Sequence, residues 1–201
     1  ISNEIGGSNS LEPLIPAAIS GLPVVDADGM GRAFPEFQMK TFFVYGVPYA
    51  PMAIADEKGN VAIIPKALTS KWVERIARSI TIQMGSVACY ALAPMTATQV
   101  RDTAVKNSLT LSKRLGESVR NANKTKSDPI NAMLKVNPGK VLYQGKISSL
   151  QRKTTQGFAR GEVTVDGSGD FMGTVMPIEF QNENLIARIE DEVVCVVPDL
   201  I

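Results

Sequence analysis

Histidine is absent from the 201 residues, which removes Ser-His-Asp triads, Cys-His dyads and imidazole zinc sites from this chain. Any acid or base must then be Asp, Glu, Lys, Tyr or Cys. Cysteine is scarce, since only Cys89 and Cys195 occur, far apart and each inside an apolar run. That is the pattern of buried, reduced thiols, so a cytoplasmic setting is expected and a disulfide is not. Without imidazole the two thiols offer no tight transition-metal site, and no cofactor is expected; a hard cation on carboxylates stays open. No apolar run reaches the roughly 18 residues of a membrane span. Excess charge is lacking too: 21 Lys and Arg stand against 20 Asp and Glu, a net charge of +1. No overall field therefore draws the chain to nucleic acid or an anionic membrane. The most basic stretch, Arg120 to Lys126, has no interleaved aromatics and reads as a solvated helix end.

What is present describes a globular protein, 44% hydrophobic and 20% charged, long enough for one large domain or two small ones without disulfides. The chain opens on Ile1 without Met and closes on Val196-Val197-Pro198-Asp199-Leu200-Ile201, as though cut beside a strand, and a fragment of a longer protein is expected. Glu4 to Ser10 reads as a strand end, a glycine turn and a helix start, with Ser10 as N-cap and the helix running from Leu14 to Gly21. Pro23 to Asp26 reads as a short strand, which completes the βαβ rhythm of a parallel sheet. Thr41 to Val47 reads as a further strand, and Met52 to Ile64 as a hairpin turning at Asp56 to Asn60. Helical stripes follow at Trp72, Ile76, Ile80 and Met84, then at Leu111, Leu115, Val119 and Ala122. Thr96 with Gln99 makes a capping box, and Asp128-Pro129 caps a short helix through Val136. Asn137-Pro138-Gly139 breaks this pattern, and short alternating strands follow to Val197. The expected fold is α/β, a partly parallel sheet with helices over residues 1–137, then a β-rich second domain over 138–201.

Three segments can carry chemistry. Gly6-Gly7-Ser8-Asn9-Ser10 could converge amides and a helix dipole on an anion, or be a tight turn with a cap. Asp26-Ala27-Asp28-Gly29-Met30-Gly31-Arg32-Ala33-Phe34-Pro35-Glu36 sends two carboxylates from one face of a strand end, with Arg32 and Glu36 close behind. Gly29-x-Gly31 begins like a dinucleotide fingerprint, but Phe34 takes the third glycine's place and Pro35 follows, which excludes a nicotinamide site. A hard-cation site, an acid and base pair and a structural Asp–Arg network all stay open for this cluster. The polar run from Arg152 to Gly161 either covers a site at the domain boundary or forms a solvated hairpin with basic gatekeepers.

Glu4-Ile5-Gly6-Gly7-Ser8-Asn9, the string from Val24 to Glu36 and Gly157-Phe158-Ala159-Arg160-Gly161 together resemble the S-methyl thiohydantoin desulfurase family, associated with hydantoin utilisation. The likeness runs over nearly the whole chain. Members are longer at both ends, which implies that an N-terminal glycine-rich segment and the close of the C-terminal domain are missing here. The resemblance implies an α/β domain followed by a β-rich one, and hydrolytic loss of methanethiol from an S-methylated thiohydantoin to give a hydantoin. That reaction needs no histidine: water adds to an amidine-like carbon, a carboxylate takes its proton and an acid assists the leaving thiol. Asp26 or Asp28 is the expected base and Glu36 the orienter or acid. The expected substrate-binding residues are Glu4, Gly6, Gly7, Ser8, Asn9 and Arg32, with Arg160 reaching from the second domain. Asp26, Asp28, Arg32 and Glu36 are expected to meet the Gly6 to Ser10 turn in one cleft at the carboxyl ends of parallel strands. The expected partner is a small-molecule substrate, with no nucleic acid and no membrane, and a homo-oligomer stays open. A non-catalytic accessory or binding protein of hydantoin or oxoproline metabolism is the competing class, and a structural assembly protein is a third.

Overall fold

The structure, a computed structural model, describes residues 1–197; Pro198 to Ile201, part of the apolar close read as a strand cut short, lies outside the described residues. The chain divides into two compact units, Ile1–Ser108 and Leu109–Ile201.

In the first unit, three strands, β2 (Met52–Ala55), β3 (Val61–Ile64) and β4 (Cys89–Leu92), form a sheet in the order β3-β2-β4. A two-residue bridge, β1 (Ala27–Asp28), pairs with β5 (Val105–Lys106). The expected parallel sheet is corrected by this topology, because every pairing is antiparallel. The strand–helix–strand rhythm does occur: α3 (Ser70–Gln83) joins β3 to β4, and these two run in the same direction. The hairpin strand β2 lies between them, however, and pairs antiparallel with both. The turn behind that hairpin is fixed by Asp56, whose Oδ1 accepts from the amides of Lys58 and Asn60 at 3.0 and 2.8 Å.

Other elements differ from their expected form for identifiable reasons. Ser10 is not an N-cap: Gly7–Ser10 is a 3₁₀ turn in which its hydroxyl donates to Gly7 O, and α1 (Leu14–Ser20) starts behind Pro13 and ends at left-handed Gly21. Leu22 to Asp26 has no strand partner, so the strand expected at Pro23 to Asp26 shrinks to the β1 bridge. Thr41 to Val47 is not a strand either; α2 (Thr41–Val44) forms because Thr41 anchors its amide on Gly29 O at 2.7 Å and the next amides fold back onto Lys40 and Thr41 carbonyls. A tertiary anchor overrides β propensity there. On α3 the buried side chains are Val73, Glu74 and Ala77; of the expected stripe Ile80 and Met84 pack against the core whereas Trp72 and Ile76 are exposed, so the inward face matches the stripe only in its second half. It packs with Phe37, Met52, Ile54 and Ile64 in one core.

α5 (Ser108–Thr125) opens on the last residue of the first unit and continues into the second, where it and α6 (Pro129–Val136) precede a five-stranded sheet. Its strands are β6 (Gly145–Thr155), β7 (Phe158–Gly167), β8 (Val175–Gln181), β9 (Glu183–Ile189) and β10 (Glu192–Val196), an antiparallel meander in the order β10-β9-β8-β7-β6. Arg152 to Thr155 continues β6, and the hairpin turns at Gln156-Gly157, both at positive φ. Its core joins Met176, Ala187 and Cys195 with Leu142, Tyr143, Val165 and Ile178. Cys195 is thus buried as expected, whereas Cys89 is exposed, because it sits where the β4 edge meets the cavity described below.

Candidate functional site

The N-terminal segment and the aspartate-rich loop pack directly on each other. Gly29 donates its amide to Asn3 O at 3.1 Å, and a Cβ at Gly29 would stand 2.8 Å from that oxygen and 2.8 Å from the Phe42 ring. Only glycine permits the approach. Gly6 sits equally close to Ala33, where an added Cβ would be 2.9 Å from the alanine's own. Ser2, fully buried, donates its hydroxyl to Glu4 O at 2.6 Å and to Asn9 O at 3.0 Å, which ties residues 2 to 9 into a closed loop. The Glu4 carboxylate accepts from the Asn9 side-chain amide.

Asp28 is completely buried. Its Oδ2 accepts from the amides of Met30 at 2.9 Å and Gly31 at 2.8 Å, an Asx turn that shapes the loop. Its Oδ1 is buried without a hydrogen-bond partner among the described residues. Asp26 is half-buried and its carbonyl accepts from Asn107 N. Arg32 is buried over the Phe34 ring with its Nε on Ala33 O, and Glu36 accepts from the Gln38 side chain.

Next to this loop lies a group that the motifs did not reveal. Lys40 is 1% exposed, and its Nζ donates to Asn3 Oδ1 at 2.8 Å and to the Tyr90 hydroxyl at 2.7 Å. The rings of Phe37, Tyr90 and Phe43 stand 4.5, 4.7 and 5.5 Å from it. Loss of hydration lowers its pKa from 10.5 to about 7, against the opposing pull of the Glu4 and Glu74 charges. Burial pushes the Tyr90 phenol well above its ordinary value, so it stays protonated. Asn3 and Tyr90 also line a cavity of about 730 Å³ within this unit. Its walls are mainly apolar, from α1, Leu22 to Val24, Phe42, Phe43 and β4, and its polar lining includes Asn3, Ser8, Asn9, Glu12, Cys89 and Tyr90. Cys89 Sγ lies 4.0 Å from Glu12 Oε2.

Two family models cover the chain nearly end to end, the S-Me-THD-like N-terminal domain over residues 1–66 and the S-Me-THD-like C-terminal domain over residues 68–201. The chain belongs to the S-methyl thiohydantoin desulfurase-like family. This desulfurase-like chain is also similar to a crystal structure of a protein from Chromobacterium violaceum, with 26% sequence identity and a TM-score of 0.68 over 91% of its length. It spans 49% of that protein. No curated protein matches it.

Within this member of the family, the predicted residues separate into groups. Ser8 and Asn9 line the cavity, Glu4 is bonded to Asn9, and Gly6 packs on Ala33 of the aspartate loop. Asp26, Asp28, Arg32 and Glu36 are not among the cavity's lining residues. The expected cleft at the ends of paired parallel strands has no counterpart, since every pairing in the described sheets is antiparallel. Arg160 belongs to the second unit, exposed on β7 over the Phe158 ring. No group of three or more Cys, Asp and Glu side chains suited to a metal occurs among the described residues. Sequence reading missed Asn3, Glu12, Lys40, Cys89 and Tyr90. One signal was available: Lys40 stands in Phe37-Gln38-Met39-Lys40-Thr41-Phe42-Phe43, a lone cation among aromatics.

Proposed function

We propose that the protein is a cytoplasmic hydrolytic enzyme acting on a hydantoin-like ring, removing methanethiol from an S-methylated thiohydantoin. The observation that carries this reading is the first unit's cavity, which combines mostly apolar walls with a few polar groups, the character of a small-molecule site. Membership of the S-Me-THD-like family supports the substrate class. In the reaction, water oxygen bonds to the ring carbon that bears the S-methyl group as the C=N π pair moves onto the ring nitrogen, and a carboxylate takes one water proton and passes it to that nitrogen. The remaining hydroxyl proton then goes by way of the carboxylate to sulfur as the C–S bond breaks, the sulfur keeping the bond's electron pair and the carbon closing to a carbonyl. Methanethiol and a hydantoin are the products.

Asp26 or Asp28 is the proposed base, with Glu36 orienting and Arg32, Glu4 and the Gly6 to Asn9 segment holding substrate. Asp28 Oδ1 is left unused by the Asx turn, although Asp28 itself is fully buried and off the cavity lining. Glu12 is added as a carboxylate on the cavity wall itself. The second reading, a non-catalytic binding protein of hydantoin or oxoproline metabolism, is favoured by one observation: Asp28 Oδ2 serves two backbone amides, a structural duty. Thiol release by the full-length protein from a panel of S-methylated thiohydantoins separates them. The enzyme reading expects thiol from at least one compound and a loss of roughly 10²- to 10⁴-fold when the base is made its amide, as Asp26→Asn, Asp28→Asn or Glu12→Gln. Absence of thiol release across the panel would sink it.

A further inference from the structure

A lysine ammonium has three donors and no acceptor, so whatever faces it must accept. Lys40 therefore dictates how its two neighbours stand. Asn3 must turn Oδ1 towards the ammonium and Tyr90 its oxygen lone pair. That leaves the Asn3 Nδ2 hydrogens and the Tyr90 phenolic hydrogen directed elsewhere, and both residues line the cavity. Behind them the ammonium is sealed by Phe37 and Phe43, so its field acts through these two partners in a poorly hydrated wall.

We propose that Asn3 and Tyr90, oriented by Lys40, form a two-donor holder for a carbonyl oxygen, or an oxyanion developing on it, of a small planar ring bound in the cavity. Donors fixed before the ligand arrives cost no reorganisation when charge develops, which makes such a holder effective. The choice of ring rests on the proposed function; the holder rests on the geometry alone. Lys40 is a positioning residue, because it acts through Asn3 and Tyr90. The charged and titratable groups around it are Glu4 from the N-terminal segment, Glu74 and Arg78 from α3 and Tyr90 from β4. When Lys40 loses its proton near pH 7, its nitrogen becomes an acceptor and draws the Tyr90 hydrogen back, which weakens the holder.

Calorimetric binding of hydantoin, succinimide and pyrrolidine to the full-length protein tests this, with wild type, Tyr90→Phe and Lys40→Met measured from pH 6 to 9. Tyr90→Phe removes only a hydroxyl and keeps the test open should Lys40→Met fold poorly. The expected result is that the two carbonyl rings bind and lose roughly tenfold to a hundredfold in affinity in Tyr90→Phe. The advantage of wild type over Lys40→Met is expected to shrink as pH rises past 7, a change that a purely structural lysine would not produce. Hydantoin binding equally well to wild type and Tyr90→Phe would overturn the holder while leaving the ring reading standing. Binding of succinimide but not hydantoin, still dependent on Tyr90, would keep the holder and remove the ring reading. If neither carbonyl ring binds wild type, or pyrrolidine binds as well as they do, the holder is overturned.

Discussion

Burying an ammonium strips its hydration, and at Lys40 the effect is large enough to bring its pKa down to about 7. An unfolded chain keeps its lysines near 10.5, so between pH 7 and 10.5 the unfolded state holds the extra proton. Stability therefore rises with pH across that window, by up to about 1.4 kcal/mol per unit from this residue, and the dependence vanishes below pH 7 where both states are protonated. Denaturant melts at pH 7, 8 and 9 check it: wild type is expected to gain stability relative to Lys40→Met, and parallel pH profiles would refute the assignment. Asp28 gives a second prediction at this scale. Asn keeps an oxygen for the Met30 and Gly31 amides, so Asp28→Asn should fold, whereas Asp28→Ala leaves two amides unpaired and should lose about 1–3 kcal/mol. Equal melting temperatures for the two variants would contradict the turn. The Asp28 loop was legible because glycines and carboxylates crowd one short string. Lys40 was legible only as a lone cation among the aromatics Phe37, Phe42 and Phe43; its bond to Tyr90, fifty positions away in sequence, is written in no local pattern.

At the level of elements, local chemistry was readable wherever a side chain bonds its own backbone neighbours. Thr96 and Gln99 cap α4 (Ala97–Thr103) reciprocally, and Asp128 accepts from Ile130 N at 2.8 Å to start α6. The hairpin at Asp56 to Asn60 and the meander after Pro138 were legible for the same reason, through turn residues between alternating strands. Reading failed where distant contacts decide. Thr41 to Val44 is helical because Gly29, not its own sequence, supplies the anchor, and β4 joins β2 from across α3. Gly29 is therefore the position through which the N-terminal segment, the aspartate loop and α2 are held together. Gly29→Ala has to displace Asn3 O or Phe42, an overpacking cost of about 1–3 kcal/mol. Thermal melts check this, and a variant as stable as wild type would mean that these segments are less tightly joined.

For the molecule as a whole, three divisions of the chain fall at different places. The family models meet near residue 67, the compact units at Ser108 and Leu109, and the change from helix to sheet after Val136. We propose Asn137 as the boundary of the β-rich domain. Residues 137–144 have neither helix nor strand and are mostly exposed, whereas Ser108 is buried and opens a long helix. Limited proteolysis with a broad-specificity protease should cut first within 137–144; first cleavage beside Ser108 would move the boundary there. No helix among the described residues is long and apolar enough to cross a membrane. The relative from Chromobacterium violaceum is about twice as long as the matched region, so the claim about activity concerns the full-length protein. Its centre is that the cavity against Asn3 and Tyr90 receives the ring, and the most direct measurement is a crystal structure of the full-length protein soaked with hydantoin. Ring density is expected in the cavity, with a carbonyl oxygen within about 3 Å of the Asn3 amide and the Tyr90 hydroxyl. Density at another place, with this cavity holding only water, would contradict it.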